Sequence, residues 1–97
     1  MQHTVVHDAE KRRFVVTELG HEAYLEYYEL PDGSLDYAST YTPHEIRGRG
    51  IATAIIRYAL DHAREHGRKI VPGCPFVQTY VDRHQQYADL LQERYRH

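Results

Sequence analysis

The chain has 97 residues, one of them cysteine, with 41% hydrophobic and 27% charged residues and a formal net charge of −2. That length fits a single domain over residues 1–97 with a modest core, and nine Tyr and two Phe supply enough aromatic burial to argue against disorder. A lone Cys74 rules out a disulfide scaffold, the charge argues against a general nucleic-acid binder, and no uncharged apolar stretch approaches the ~20 residues of a membrane span.

Met1-Gln2-His3 lacks the basic and apolar regions of a signal peptide, so a cytoplasmic protein is expected. The charge is unevenly spread. Residues 1–46 hold nine acids and three bases, whereas residues 47–97 hold five acids and nine bases. The split suggests two kinds of partner surface, or two oppositely charged solvated faces.

Along the chain, Thr4–His7 reads as a short strand and Ala9–Arg12 as a turn. Arg13–Leu19 carries Phe14-Val15-Val16-Thr17 and predicts a second strand, broken by Gly20-His21. Glu22–Leu30 alternates, with Ala23, Leu25 and Tyr27 on one face and Glu22, Glu26 and Tyr28 on the other, the period of a half-buried strand. Pro31-Asp32-Gly33-Ser34 is a tight turn. Leu35–Thr42 is a fourth strand, stopped by Pro43, and the short connections predict an antiparallel meander.

From Gly50 onward Ile51, Ala52, Ile55, Ile56, Ala59, Leu60 and Ala63 recur at helical spacing, and Gly67 stands where a C-terminal cap is expected. Lys69–Val71 is a short buried strand, which the preceding helix allows to lie parallel to the fourth. Pro75–Asp82 and Gln85–Tyr95 read as a helical end, interrupted near Arg83-His84. The order β-β-β-β-α-β-α makes an α+β domain with a mixed sheet and one β-α-β crossover.

The chemistry concentrates in Pro43-His44-Glu45-Ile46-Arg47-Gly48-Arg49-Gly50-Ile51-Ala52, where a strand ends, a glycine-rich turn follows and a helix begins. A helix start leaves amide N–H groups unpaired and carries partial positive charge. Glycines let phosphate oxygens approach, and arginines add charge, so this is an anion cradle suited to a pyrophosphate. A close-packed corner needing small residues is the plainer reading. The Walker pattern is absent, and Thr53 stands where a dinucleotide fingerprint needs glycine.

Arg47-Gly48-Arg49-Gly50-Ile51-Ala52 resembles the Q/R-x-x-G-x-G/A acyl-CoA motif of the GNAT superfamily of N-acetyltransferases. Two stretches are similar to its short single-domain branch: Thr40-Tyr41-Thr42-Pro43 leading into the motif, and Lys69-Ile70-Val71-Pro72-Gly73-Cys74-Pro75-Phe76-Val77 with Tyr80 following. The resemblance runs from about Phe14 to Leu90. It implies a GNAT-like fold and an acetyl-CoA site between the fourth and fifth strands. Amides from Ile46 or Arg47 through Gly48, Arg49, Gly50, Ile51 and Ala52 would hold the pyrophosphate. Backbone around Tyr41 and Thr42 would hold the pantetheine and polarise the thioester. It further implies transfer of acetyl to an amine. Where larger relatives have helices between strands one and two, Val6 to Phe14 leaves room only for a turn, so the acceptor pocket must be open or completed by a partner.

Cys74-Pro75 places a thiol at a helix N-cap with proline at the first helical position. Such a placement favours the thiolate, which could accept an acetyl group and pass it on; a small buried residue at a tight corner is the alternative. Tyr80 follows six residues later, and in the superfamily a tyrosine near here often protonates the departing CoA thiolate; a core tyrosine fits equally. No clear general base emerges: Asp36 lies far from the motif, and His44 is the better chemical candidate but reads more readily as a solvated loop residue. His62 and His66 have a zinc-chelating spacing without an evident third ligand; with Asp61 and Glu65 beside them an exposed polar face is the plainer reading, and no metal is expected. Glu18, Glu22, Glu26, Glu29, Asp32 and Asp36, uninterrupted by Lys or Arg, would attract a cationic acceptor such as a lysine-rich segment or polyamine; solvation and protection against sheet-edge aggregation is the plainer reading. A CoA-binding or protein-interaction module with little catalysis is the competing function.

Overall fold

Residues 3–96 are described by a computed structural model. Met1, Gln2 and His97 lie outside the described residues, as does most of the extreme N-terminus read above for a signal peptide. The strands are β1 (Val6–Asp8), β2 (Arg13–Glu18), β3 (His21–Glu29), β4 (Leu35–Tyr41) and β5 (Ile70–Val71), in the spatial order of the chain. β1 to β4 pair antiparallel, while β5 runs parallel to β4. The helices are α1 (Ile51–Glu65) and α2 (Pro75–Arg83), so the expected α+β order holds.

The alternation in β2 and β3 sets the core. Phe14, Val16, Ala23, Leu25 and Tyr27 pack with Leu35 and Tyr37 on one sheet face. Ile51, Ile55, Ile56, Ala59, Leu60 and Ala63 of α1 join the same cluster. Each fully buried Val, Leu, Ile or Phe among them contributes about 1.5–3 kcal/mol. Tyr37 adds a polar tie, its hydroxyl donating to the Ala59 carbonyl. Burial pushes the Tyr37 phenol pKa upward, so it stays a donor. The other face carries Glu22, Glu26, Tyr28, Ser39 and Tyr41 in exposed positions.

Turn residues take the expected roles. Gly33 has φ 87° in the β3–β4 turn, and Gly67 has φ 63° just past α1. β2 to β5 and α2 differ from expectation by a single residue at one or both ends, and two elements differ by more. The first strand lies at Val6–Asp8, because the tight turn, closed by Arg12 N–H on the Ala9 carbonyl, brings Asp8 opposite Arg13. Gln85–Tyr95 is not α-helical. It forms 3-10 turns at Gln85–Leu90 and Glu93–Tyr95 with Leu91 between them. Leu91 bridges Ile70 in parallel and Gln92 N–H donates to the Ile70 carbonyl, so the tail is drawn onto the sheet edge. Leu91 takes extended backbone (φ −65°, ψ 141°), which frees this stretch to pair with Ile70, whereas an unbroken helix would keep its backbone groups bonded internally.

Candidate active site

The site is built where β4 loses its partners. Glu26 faces Ser39 but Tyr27 faces Tyr37, so Ala38 is an extra residue in β4 and the strand bulges there. β5 pairs with β4 only at Leu35–Ile70 and Asp36–Val71. The chain then turns away: Cys74 N–H donates to the Tyr37 carbonyl at 2.9 Å, and α2 begins. Among the described residues, no strand pairs with β4 on that side beyond this point, so the sheet opens.

The turn between β4 and α1 closes the other wall. Pro43 leads into a 3-10 turn at His44–Ile46, with Ile46 buried in the core. Arg47 Nε donates to the Thr42 carbonyl at 3.0 Å, pinning the loop to the end of β4. Gly48 (φ 78°) and Gly50 (φ 74°) both take left-handed backbone, which costs other residues about 1–2 kcal/mol. Gly50 is also the N-cap of α1, with no side-chain cap bond and no acid in the first turn. The opening amides of α1 thus keep their donors free of side-chain acceptors.

These parts enclose a cavity of about 570 Å³. Thr40, Tyr41 and Thr42 line one side, and Ile46, Arg47, Gly48, Gly50, Ile51 and Ala52 the other. Eight of the nine residues expected to hold an acyl-CoA therefore surround one space. Arg49 does not line it. Its guanidinium turns to Glu18 of β2, Nη1 lying 3.7 Å from Oε2.

Sequence reasoning missed Phe76, whose phenyl is 68% exposed yet lines the cavity from the start of α2. An apolar residue directly after an N-terminal proline was the available signal. A larger cleft of about 1060 Å³ lies at the opposite end of β4, between the Asp32-Gly33 turn and Gln92–Arg96. Its cations are engaged within the chain: Lys69 Nζ donates to the Asp89 carbonyl at 2.8 Å, Arg96 Nε donates to the Leu91 carbonyl at 3.0 Å, and the Arg94 guanidinium lies 5.0 Å over the Tyr95 ring. It is a groove where the tail packs, remote from the glycine turn.

A profile of the GCN5-related N-acetyl-transferase family matches residues 13–90. The chain belongs to the GCN5-related N-acetyltransferase family. Protein NATD1 from Xenopus tropicalis is 35% identical over 92 residues, covering 91% of this chain and 84% of its own. Protein NATD1 from Gallus gallus is 36% identical with the same coverage. The Homo sapiens protein of that name is also 36% identical, with 81% of its length covered.

The remaining candidates of this N-acetyltransferase-family chain are spread out. Cys74 is the N-cap of α2 with Pro75 at the first helical position, and it is 4% exposed. Its Sγ lies 3.5 Å from Thr40 Oγ1, so the thiol sits directly behind the cavity wall. Tyr80 stacks on His84 with ring centroids 4.0 Å apart and tilts toward Tyr87. Burial raises the Tyr80 pKa and keeps the phenol protonated, but the ring is outside the cavity lining. His44 and Glu45 are exposed, with Glu45 Oε1 4.0 Å from His21 Nδ1.

His62 is half-buried, whereas His66 is exposed. His62 meets His7 edge-on at 4.5 Å and stacks on His66 at 4.1 Å, with His7 Nε2 2.6 Å from the Tyr27 hydroxyl. No group of three potential ligands among the described residues is placed to hold a metal. No helix there is long and apolar enough to cross a membrane.

Proposed function

We propose that this protein binds acetyl-CoA and transfers the acetyl group to a primary amine. The observation that carries the reading is the single cavity shared by the end of β4, the positive-φ glycine turn and the uncapped start of α1. A pyrophosphate there would meet backbone donors from Gly48 to Ala52 and the partial charge of α1. The pantetheine would run along the open edge of β4 by Tyr41 and Thr42. Phe76 would cover it with an apolar wall.

The neutral amine attacks the thioester carbonyl, the C–S bond breaks, the amide forms, and CoA leaves as the thiol with the proton the amine gives up. Direct attack fits the burial of Cys74 behind Thr40. The N-cap position of Cys74 supports a second route through an acetyl-thioester on its sulfur. Tyr80 is the proposed proton donor to CoA sulfur, and the proton that the amine gives up returns to its phenolate. The acceptor would approach the acidic sheet face that carries Glu22 and Glu26, which suits a lysine-rich segment or a polyamine. A buried free thiol fits the reducing cytoplasm.

Calorimetric titration with CoA, followed by mass spectrometry after incubation with acetyl-CoA and a lysine-rich peptide, tests the reading. CoA binding and an acetylated peptide are expected. Acetyl retained on wild-type Cys74, with turnover lost in Cys74→Ser, selects the thiol route; turnover kept in Cys74→Ser selects direct attack. A drop in kcat for Tyr80→Phe at unchanged KM supports its donor role. The specific observation favouring a binding module is that neither Tyr80 nor His44 lines the cavity. CoA binding with no transfer to any amine would favour that module.

A further inference from the structure

His3 lies ahead of β1, and its side chain is only 8% exposed. Its Nδ1 is 2.8 Å from Glu18 Oε1, and its Nε2 is 2.8 Å from the Arg49 carbonyl oxygen. Arg49 sits between the two positive-φ glycines, so His3 holds the backbone of the phosphate loop at its midpoint. A backbone carbonyl can only accept, and so can an ionised carboxylate. Each ring nitrogen must therefore carry a hydrogen to make both bonds. A neutral imidazole carries one; the imidazolium carries two.

The surroundings are mixed in charge. Glu18 faces His3 from β2, and Arg49 Nη1 lies 3.7 Å from the second oxygen of that carboxylate. Among the described residues, Glu18 Oε2 is buried without a hydrogen bond, so the Oε1 contact to His3 is the carboxylate's short tie there. From α1, Arg57 and Tyr58 line the same small cavity as His3. His21, across the hairpin from Glu18, lies instead within 4.0 Å of Glu45.

We infer that His3, as its imidazolium, clasps the Arg49 carbonyl to Glu18, holds the 47–50 loop in its anion-receiving shape, and makes CoA affinity depend on pH. The inference rests on the CoA reading above. Losing the ring proton removes one of the two bonds and leaves the 3.7 Å Arg49–Glu18 pair as the loop's remaining tie to Glu18. By linkage, CoA binding must then favour proton uptake at His3. His3 is a positioning residue, because its bonds go to Glu18 and to the loop backbone.

The test is calorimetric titration of the full chain with CoA from about pH 6 to about pH 8.5, the range in which imidazoles change charge. Repeating it in buffers of different ionisation enthalpy measures protons taken up. Wild-type affinity should weaken by about tenfold toward high pH, the worth of one charge-assisted hydrogen bond. His3→Ala should bind CoA more weakly and lack that part of the profile. Glu18→Gln should flatten the profile, because its amide N–H can donate to an unprotonated Nδ1. This second variant keeps the test decisive if His3→Ala does not fold. CoA binding with the same pH profile in wild type and both variants overturns the clasp and leaves the CoA reading standing. No CoA binding by wild type at any pH overturns the CoA reading itself, and the clasp's role with it.

Discussion

Gly73 provides a measurable test of how the site is shaped. A Cβ added there would overlap Asp36 Oδ1 and lie 3.3 Å from Ala38 Cα. The first neighbour is a side chain that can turn; the second is backbone of the bulge itself. Gly73→Ala therefore presses the β5–α2 corner away from β4 at the point where the sheet opens. Overpacking of this kind costs about 1–3 kcal/mol, against about 0.4–1 kcal/mol gained by restricting the unfolded chain. A net loss of 1–2 kcal/mol would lower Tm by roughly 4–16 °C in a domain of this size. Asp36→Ala alone should be neutral or stabilising, because Asp36 Oδ1 is buried without a hydrogen bond. In Gly73→Ala/Asp36→Ala the carboxylate is gone, and about 1 kcal/mol or more should return as coupling. Urea melts of the four proteins complete the cycle. Strict additivity, or a Gly73→Ala protein as stable as wild type, would refute the close approach.

Gly50→Val places a branched side chain at φ 74° on the N-cap of α1, and CoA affinity should fall by about 2 kcal/mol, close to 30-fold. Unchanged affinity in folded protein, measured by calorimetry, would remove the cradle assignment. The pH dependence of stability follows from His62 and His7. Burial first, then the neighbouring His7, His66 and Arg68, push His62 down to about 4, and burial likewise lowers His7. The folded state keeps these rings neutral while the unfolded chain takes up protons below its ordinary value of 6.5, so stability should decline as pH falls from 6.5 toward 4 and then level off. Thermal melts of wild type against His62→Gln would show it, and an identical slope in both would exclude this cluster as the cause.

The parts of the fold legible in the sequence are those with a local cause. Alternation in β3 predicts its buried Ala23, Leu25 and Tyr27 because pleating alone decides the face. The spacing from Ile51 to Ala63 predicts α1 because its apolar stripe must meet the sheet. The glycine turn was legible because two positive-φ positions demand glycine. Features set by long-range pairing were not. The Ala38 bulge depends on the register between β3 and β4, and the break at Leu91 depends on Ile70, far away in sequence. Asp36 reads as remote from the motif along the chain, yet the β4–β5 ladder sets its carboxylate against Gly73, next to Cys74. Arg49 reads as part of the cradle by adjacency alone, whereas Glu18 draws its guanidinium to β2.

Contacts in the fold also narrow where a cationic acceptor can dock. The sequence shows a run of acids, but several are already engaged. Glu18 faces His3 and Arg49, Glu29 lies 3.8 Å from Arg68, and Asp32 accepts from Ser34 and Gln92. Glu22 on the outer sheet face is 3.1 Å from Arg13 Nη2, and Arg13 also lies over the Tyr24 ring. Glu26 has only a 3.3 Å bond from the Ser39 hydroxyl, and Asp36 sits opposite the 63% exposed Tyr28. The negative strip without a cationic partner among these contacts thus runs across β3 and β4 at Glu26, Tyr28 and Asp36, beside the bulge. Glu22→Lys would mainly disturb Arg13, whereas Glu26→Lys reverses charge beside the opening of the sheet. For a lysine-rich acceptor, Glu26→Lys should raise KM several-fold, since a few tenths to 1 kcal/mol is the worth of an exposed charge contact. Glu22→Lys should raise it less, and CoA affinity should hardly change in either. Acetyl-transfer kinetics at low and high salt give the comparison, because screening must shrink the difference. Equal effects of the two reversals, or a KM indifferent to salt, would show that this strip does not select the acceptor.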